Sequence, residues 1–199
     1  MSKAELLEAV AKEVIECKNC TLSKTRRNAV PGEGSPDSKV MFVGEAPGQS
    51  EDIKGEPFVG AAGQFLDELL TRIGLSRSNV FITNIVKCRP PRNREPKPSE
   101  VEACTPYLNR QIELIQPEFL VTLGSHSTAY VFSRAGLSFS SITKVHGKPC
   151  EATVSDLKLA VFPTFHPAAA LYYPKYKDQL IADFKVLKNE LVKKKVVSQ

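Results

Sequence analysis

"KVMFVGEAPGQSEDIKGEPFVG", residues 39–60, joins an almost wholly apolar run to a glycine-rich polar segment. Short apolar runs that end in glycine are typical of strands buried on both faces of a sheet. The polar segment is similar to a phosphate-binding loop, but it lacks the Lys-Ser/Thr pair that such a loop uses. The stretch therefore predicts a buried strand that leads into a binding turn of another kind.

Three more apolar runs follow along the chain, and helical patterns alternate with them. The runs are 79–88, 118–124 and 157–167. Helical patterns cover 4–16, 61–74, 99–115, 125–134 and 178–194. This alternation predicts an α/β fold with a parallel sheet covered on both faces. Ligands of such sheets bind beyond the carboxyl ends of the strands, so the polar residues that follow the strands should meet at one edge. Ser99 and Glu102 fit a capping box at the start of one helix.

Composition and length favour one domain, 1–199, which includes the N-terminal segment 1–38 and ends in a basic tail from about residue 192. Hydrophobic residues make up 42% of the chain and charged residues 25%, as is ordinary for a globular protein. No apolar run reaches the ~18 residues of a membrane span. The charged N-terminus is unlike a secretory signal. We therefore expect a cytoplasmic protein without membrane association.

Positive charge is concentrated in one segment of the chain. The formal net charge is only +5, yet residues 87–97, "KCRPPRNREPK", contain five basic residues and one acid. A patch of this density is suited to a polyanion such as nucleic acid. The alternative interpretation is a solvated surface loop.

Four of the five cysteines have a spacing that suits one metal centre. Cys17 and Cys20 form a C-x2-C pair, and Cys88 and Cys104 follow at wide spacing. Such a set can hold zinc or an iron–sulfur cluster, and spacing does not decide between them. A redox pair and unligated cysteines are further alternatives. Cys150 is left over and is interpreted as a small buried hydrophobic residue.

Six motifs occur in a defined order between about Cys17 and Phe184. They are "CKNC" (17–20), "GEAPGQSEDIKGEPFVGAAGQFLD" (44–67), "ITNIVKCRPPRNREPKPSEVEAC" (82–104), "TLGSHS" (122–127), "ITKVHGK" (142–148) and "FHPAAAL" (165–171). Together they resemble family 4 uracil-DNA glycosylases, iron–sulfur enzymes of bacteria and archaea. The resemblance implies a three-layer α/β/α fold with a central four-stranded parallel sheet. It also implies a DNA repair enzyme that acts on uracil-containing DNA, single- or double-stranded, and we expect a monomer.

The resemblance further implies a cofactor and a base pocket. The cofactor is a [4Fe–4S] cluster, structural rather than catalytic, which is preferred over zinc and held by Cys17, Cys20, Cys88 and Cys104. The residues of the uracil pocket are Glu45, Ala46, Glu51, Phe58, Asn84 and His166.

Each pocket side chain suits a step of uracil release. The amide of Asn84 can accept from N3–H of uracil and donate to O4, whereas cytosine would mismatch both hydrogen bonds. Phe58 can stack on the ring, and Glu51 can exclude the thymine methyl group. His166 can donate to O2, where negative charge develops as the glycosidic bond breaks. Glu45 is predicted either to hold the attacking water or to face the cationic sugar.

Contacts with the DNA are predicted outside the pocket. Arg89, Arg92 and Arg94 lie in the basic segment, and Leu171 is a candidate wedge for the space left by a flipped base. The family often has Arg where this chain has Tyr172, which puts the contact of that loop in question. Related proteins that trap uracil covalently carry an inserted basic stretch with a nucleophilic His. The basic segment of this chain contains no His, so water should complete the reaction.

The main alternative function is a non-catalytic nucleic-acid-binding module, in which a cluster or zinc orders the basic segment. This hypothesis accounts for the cysteines and for the charge. It does not account for the occurrence of Asn84, Phe58 and His166 within matching motifs. Two other histidines, His126 and His146, are predicted to be structural or to face phosphate.

Overall fold

A computed structural model describes residues 1–198. The strands are β1 (Glu33–Gly34), β2 (Val40–Gly44), β3 (Phe81–Asn84), β4 (Phe119–Leu123), β5 (Cys150–Val154) and β6 (Leu157–Thr164). The α-helices are α1 (Lys3–Glu16), α2 (Gln49–Lys54), α3 (Ala61–Arg72), α4 (Pro98–Ile115), α5 (Ser125–Arg134), α6 (Ile142–Val145), α7 (Pro167–Tyr172) and α8 (Pro174–Lys193). Within these described residues, no helix combines the length and the apolar character that crossing a membrane demands.

The strands form one sheet in the order β1-β3-β2-β4-β6-β5. Its four central strands, β3, β2, β4 and β6, are mutually parallel, which confirms the predicted α/β class and the four-stranded parallel core. The antiparallel edge strands β1 and β5 were not predicted. β1 has only two residues, and it lies in a segment rich in turn residues, so the sequence pattern does not indicate a strand there.

A tight hairpin attaches the second edge strand, β5, to β6. Its two central residues, Ser155 and Asp156, both have left-handed backbone angles, with φ of 48° and 61°. Two such residues in succession make a turn whose twist matches that of the paired strands. The chain has Ser-Asp here instead of the glycine-containing pairs that signal this turn in a sequence, so the hairpin is hidden until the strands pair.

Helices cover both faces of the sheet, as the apolar strands predict. Alternate residues of β2 show this division: Phe42 belongs to the core beneath α3 and α8, and Met41 belongs to the core beneath α1 and α4. All five residues of β2 are buried. The chain therefore forms three layers, and the carboxyl ends of the parallel strands emerge together at one edge.

The start of α4 differs from the prediction. The N–H of Lys97 donates to Glu100 Oε2 at 2.8 Å, so the reciprocal contact begins two residues earlier than the predicted pair of Ser99 and Glu102. Glu100 is 2% exposed because Arg94 and Thr21 also donate to its carboxylate. Tertiary partners of Glu100 therefore determine where the helix starts.

The C-terminal segment is not the free basic tail that was predicted from about residue 192. Helix α8 extends to Lys193, and Leu191 on its last turn is fully buried. Beyond the helix, Val196 and Val197 are partly buried against the core that includes α3 and α8. The last residue of the predicted tail, residue 199, lies outside the described residues.

Replacement of Leu69 by alanine should destabilise the fold. Leu69 lies on the sheet-facing side of α3 and is fully buried, so Leu69→Ala should lower the free energy of unfolding by about 2–5 kcal/mol. Urea denaturation would measure the change. Glu68→Ala, at the exposed neighbouring position, is the matched control and should have little effect. Equal losses in the two variants would contradict the assigned face of α3.

Candidate active site

A cavity of about 350 Å³ lies at the carboxyl edge of the parallel strands. It is bounded by residues that follow β2, β3 and β6, which is where sheets of this type bind ligands. All the residues predicted for the base pocket line this cavity. They are Glu45, Ala46, Glu51, Phe58, Asn84 and His166. The structure thus brings together side chains that are up to 121 positions apart in the sequence, from Glu45 to His166.

Asn84 presents an unpaired hydrogen-bond acceptor at the cavity wall. Its side chain is 1% exposed, and among the described residues its Oδ1 atom has no hydrogen-bond partner. A buried polar atom without a partner is costly, and in a residue that lines a cavity it points to a donor on a ligand. This atom can accept a hydrogen bond from an N–H or O–H group.

Because Gly44 has no side chain, the side chains of Asn84 and Phe58 can both pack against it. A Cβ atom at Gly44 would lie 2.3 Å from Asn84 Oδ1 and 2.8 Å from Phe58 Cζ, closer than side chains tolerate. Parallel pairing sets Gly44 directly beside Asn84. The glycine that ends the apolar run is therefore required because two cavity-lining side chains approach it closely.

Phe58 is held in an unusual backbone conformation. Its φ is 53°, a left-handed angle that is costly for an aromatic residue. The guanidinium of Arg77 donates to the carbonyl oxygens of Pro57 and Phe58, and it is itself paired with Asp67. A Cβ atom at Gly63 would lie 1.7 Å from the Phe58 carbonyl oxygen, so this turn also depends on that glycine.

The carboxylate of Glu51 accepts three hydrogen bonds from main-chain N–H groups. One oxygen accepts from the N–H groups of Val59 and Gly60, both at 2.9 Å, and the other accepts from Gly48 at 3.1 Å. The side chain is 9% exposed and lines the cavity. Glu51 thus ties the two halves of the β2–α3 connection together and presents a rigid wall rather than a mobile carboxylate.

His166 has its protonation state defined by its surroundings. It is the N-cap residue of α7, and its Nδ1 atom accepts from the N–H of Ala168 at 3.1 Å. Burial lowers the pKa of His166 to about 4, an effect that the carboxylate of Glu51 partly opposes. The ring is therefore neutral near pH 7, and with Nδ1 acting as acceptor its proton must reside on Nε2. The ring stacks on Phe58, with 5.5 Å between centroids.

Glu45 stands at the rim with a histidine and a second acid. His126 Nε2 lies 3.9 Å from Glu45 Oε2 and 3.2 Å from Glu95 Oε1. Burial raises the pKa of Glu45, a cationic His126 opposes this shift, and the charge of Glu95 adds to it. The other histidine outside the pocket, His146, instead bonds to the buried Asp183 at 2.9 Å.

The residues predicted to contact DNA have different environments. The Arg94 guanidinium donates to both carboxylate oxygens of Glu100, at 2.8 and 2.7 Å, so it is committed to an internal ion pair. Arg92 is exposed, and Arg89 is bonded to the side chain of Asn93 at 2.7 Å. Leu171 on α7 is 48% exposed, and its neighbour Tyr172 is 77% exposed. These side chains lie outside the base cavity, apart from Arg94, which lines it.

Two residues near the site were missed by the sequence analysis. Asn93 lines the cavity, and its φ of 55° places it in a turn. Pro-Pro and Asn indicate a turn here, but no local pattern shows that it lies beside the cavity. Lys87 was counted only as part of the basic segment, yet it is 1% exposed. Burial lowers the pKa of its ammonium to about 7, and the neighbouring Cys104 opposes this shift. A lysine within a run of charge gives no signal of burial.

The four predicted ligand cysteines line a second, smaller cavity behind the basic segment. Two of the sulfur atoms accept hydrogen bonds: Cys88 Sγ from Arg26 Nη1 at 3.0 Å, and Cys104 Sγ from the N–H of Lys87 at 3.2 Å. Burial raises the pKa of Cys88, and it raises that of Cys104 to about 11. A bound metal centre would supply the positive charge that deprotonated sulfur requires.

The cysteine cavity is lined by residues of the type that bind a metal centre through thiolates. The four cysteines come from α4, the segment after α1 and the segment after β3. In residues 1–198, no three or more His, Cys, Asp or Glu side chains are placed so that they could hold a metal ion. Cys150 is apart from this set, and its sulfur lies 3.8 Å from the carbonyl oxygen of Val161.

Comparisons with known proteins identify the family to which the chain belongs. The uracil DNA glycosylase superfamily matches residues 31–188. A type-4 uracil-DNA glycosylase from Sulfurisphaera tokodaii is 56% identical over 92% of this chain and 83% of its own length. Similar proteins of the same name are found in Saccharolobus solfataricus, 52% identical over 96% and 88%, and in Archaeoglobus fulgidus, 47% identical over 96% of both. The matched range contains the cavity-lining residues, and the chain belongs to the uracil-DNA glycosylase superfamily, within its type-4 group.

Proposed function

We propose that this protein excises uracil from DNA by hydrolysing the N-glycosidic bond, which leaves an abasic site. The observation that carries the proposal is the buried, unpaired Oδ1 atom of Asn84 at the wall of a cavity closed by Phe58 and His166. Uracil offers the donor that this atom lacks. The relatives named as type-4 uracil-DNA glycosylases support the same activity.

Base recognition rests on the two ends of the Asn84 amide. Its oxygen accepts from N3–H of the flipped base, and its NH2 group donates to O4. Cytosine has an acceptor at N3 and an amino group at the 4-position, so both contacts would be lost. Each buried polar group left unpaired costs roughly 1–3 kcal/mol, which is enough to make the pocket selective.

Phe58 and Glu51 complete the base pocket. Stacking of a base on an aromatic ring contributes about 1–3 kcal/mol in single-strand binders. Phe58 would make this contact from the turn that Arg77 holds. The C5 methyl group of thymine would have to displace part of the connection that Glu51 fixes with three hydrogen bonds. Exclusion of thymine is therefore steric, and the rigidity of this wall makes it effective.

Bond cleavage places negative charge on uracil and positive charge on the sugar. As the C1′–N1 bond breaks, the Nε2–H group of His166 donates to O2 of the departing base. The low pKa of His166 keeps the ring neutral, so it stabilises the anion as a hydrogen-bond donor. Water adds to C1′, and the proton that it loses balances the negative charge of the departing uracil. Glu45 serves this step as a carboxylate, either by holding the water or by facing the cationic sugar.

We propose that Cys17, Cys20, Cys88 and Cys104 hold a [4Fe–4S] cluster with a structural role. Convergence of the four residues on one cavity and the N–H donors to two of the sulfurs support this assignment. When bound, such a cluster ties together chain segments that are distant in sequence. Here it would pin both ends of the basic segment between Cys88 and Cys104.

The basic segment and α7 form the surface that we propose to face the DNA. Arg89 and Arg92 are available for phosphate contacts, whereas the ion pair of Arg94 with Glu100 orients the segment. Leu171 and Tyr172 are both exposed on α7, and a side chain from this helix would fill the stack after a base is flipped.

Asn84→Ala and His166→Ala should each impair uracil release strongly. Loss of the His166 donor should slow the single-turnover rate by about a hundredfold to a thousandfold, as removal of oxyanion donors does elsewhere. Affinity for duplex DNA should stay nearly unchanged, since neither residue faces the backbone. The assay is alkaline strand scission of a uracil-containing oligonucleotide, which requires an abasic site.

The control for these variants is Asn189→Ala, at an exposed position of α8, which should behave as wild type. Wild-type turnover in both pocket variants would refute the assigned site. Absence of scission by the wild-type protein would refute the activity and leave the non-catalytic binding module as the better account.

The acidic limb of the pH profile should depend on His126 and Glu95. Because the pKa of Glu45 is raised by burial, its reactive carboxylate is lost at a higher pH than an exposed glutamate would lose it. His126→Gln removes the opposing cation and should move the acidic limb of kcat/KM to higher pH. Glu95→Gln removes a negative neighbour and should move it to lower pH. Coincident profiles for the wild type and both variants would disprove the role of Glu45.

Purified protein should be brown and contain about four iron atoms per chain. Cys104→Ser should lose most of this iron, because Cys104 lines the cysteine cavity, and Cys150→Ala should keep it. Elemental analysis and the visible absorption spectrum measure both effects. A colourless protein loaded with zinc would contradict the cluster assignment.

A further inference from the structure

Lys87 is a buried lysine whose ammonium group is bound by three oxygen atoms. Its Nζ atom donates to Asn84 O at 2.8 Å, to Gln111 Oε1 at 2.7 Å and to Thr83 Oγ1 at 2.5 Å. All three partners are neutral, and together they use the three hydrogens that a lysine can donate. The side chain is 1% exposed, so the arrangement is wholly internal. Burial of such a group is costly unless it is hydrogen-bonded, and here Nζ has three oxygen partners.

One of the three partners is the main-chain carbonyl of the base-reading residue. Asn84 ends β3, and the edge strand β1 pairs only with Phe81 and Ile82, so it stops short of Asn84. The carbonyl of Asn84 therefore accepts a hydrogen bond from the Lys87 ammonium, at the position where a longer β1 would otherwise lie. On the other side, the N–H of Ile85 donates to Gly44 O at 2.9 Å. The peptide after Asn84 is thus held from both sides.

The other end of the network reaches the cysteine site. Gln111 and Cys104 lie on α4, about two helical turns apart, so they share a face of that helix. The N–H of Lys87 donates to Cys104 Sγ at 3.2 Å, and Cys88 is the next residue. Main chain and side chain of Lys87 therefore connect α4, which carries one proposed cluster ligand, to the end of β3, which carries Asn84.

We propose that Lys87 is a positioning residue for base recognition, which anchors the peptide of Asn84 to α4 so that the Asn84 amide faces the cavity in one fixed place. The proposal rests on the proposed function, since it concerns the reading of uracil by Asn84. Because Lys87 is buried, it cannot neutralise the charge of DNA phosphates. The proposal gives this lysine a different role. Lys87 acts through Asn84 and does not touch the base.

The test is a double-mutant cycle with Lys87→Met and Asn84→Ala. Methionine fills the space of the lysine stem but removes the ammonium donors. With Asn84 present, Lys87→Met should slow single-turnover uracil excision by about a hundredfold, the size expected when a reading group is misplaced. In the Asn84→Ala background, the same substitution should cost less than about twofold, because nothing remains to be positioned. Affinity for abasic duplex and iron content should stay at wild-type values.

Controls separate positioning from general damage to the fold. Ile112→Val removes a buried methyl group from α4 without touching the network and should leave excision unchanged. If Lys87→Met does not fold, Gln111→Leu replaces it: that variant removes one acceptor of Nζ, and its smaller loss of excision should likewise vanish in the Asn84→Ala background.

Equal losses in both backgrounds, or no loss with Asn84 present, would overturn the positioning role of Lys87 while leaving uracil excision in place. Wild-type excision by Asn84→Ala itself would instead overturn the base-reading assignment on which the inference rests. The two failures are therefore distinguishable in one set of four proteins.

Discussion

Parallel pairing of β2 with β3 aligns Gly44 with Asn84, and the other features of the candidate site depend on this alignment. The pairing continues past the strands, since Ile85 and Val86 donate to the carbonyl oxygens of Gly44 and Glu45. Glu45 and the Asn84 amide consequently emerge side by side at the sheet edge. The missing side chain of Gly44 then provides the space into which Phe58 and Asn84 fit. A backbone hydrogen-bond register thus creates a cavity with a defined polar wall.

The groups around the cavity are stiff because most of their hydrogen-bonding capacity is already used. Glu51 accepts three main-chain N–H groups, and Arg77 secures the strained turn at Phe58. The groups that remain for a ligand include the side-chain amide of Asn84 and the Nε2–H group of His166. Donors and acceptors held in place before the substrate arrives need no reorganisation during the reaction, which is the main source of electrostatic stabilisation in enzymes.

Much of this architecture could be predicted from the sequence, because its signals are local. Apolar runs locate the four parallel strands, and glycine marks the end of β2. The edge strands have no such signal: β1 is two residues long, and the β5–β6 turn lacks glycine. The predicted start of α4 was wrong because Glu100 forms an ion pair with Arg94, a residue outside the helix. Asn93 lies beside the cavity, which no local pattern shows.

The α/β class, the four parallel strands, the residues that line the cavity and the set of four cysteines follow from the chain alone, because periodicity, motif order and residue chemistry are local properties. Which atoms are left free and which are engaged became visible only in the folded molecule. Asn84 Oδ1 is unpaired, Nδ1 of His166 is occupied, and Lys87 is buried rather than exposed on the basic segment. The physical reason is that burial and hydrogen-bond pairing depend on neighbours brought from distant segments, as Gln111 and Cys104 are brought to Lys87.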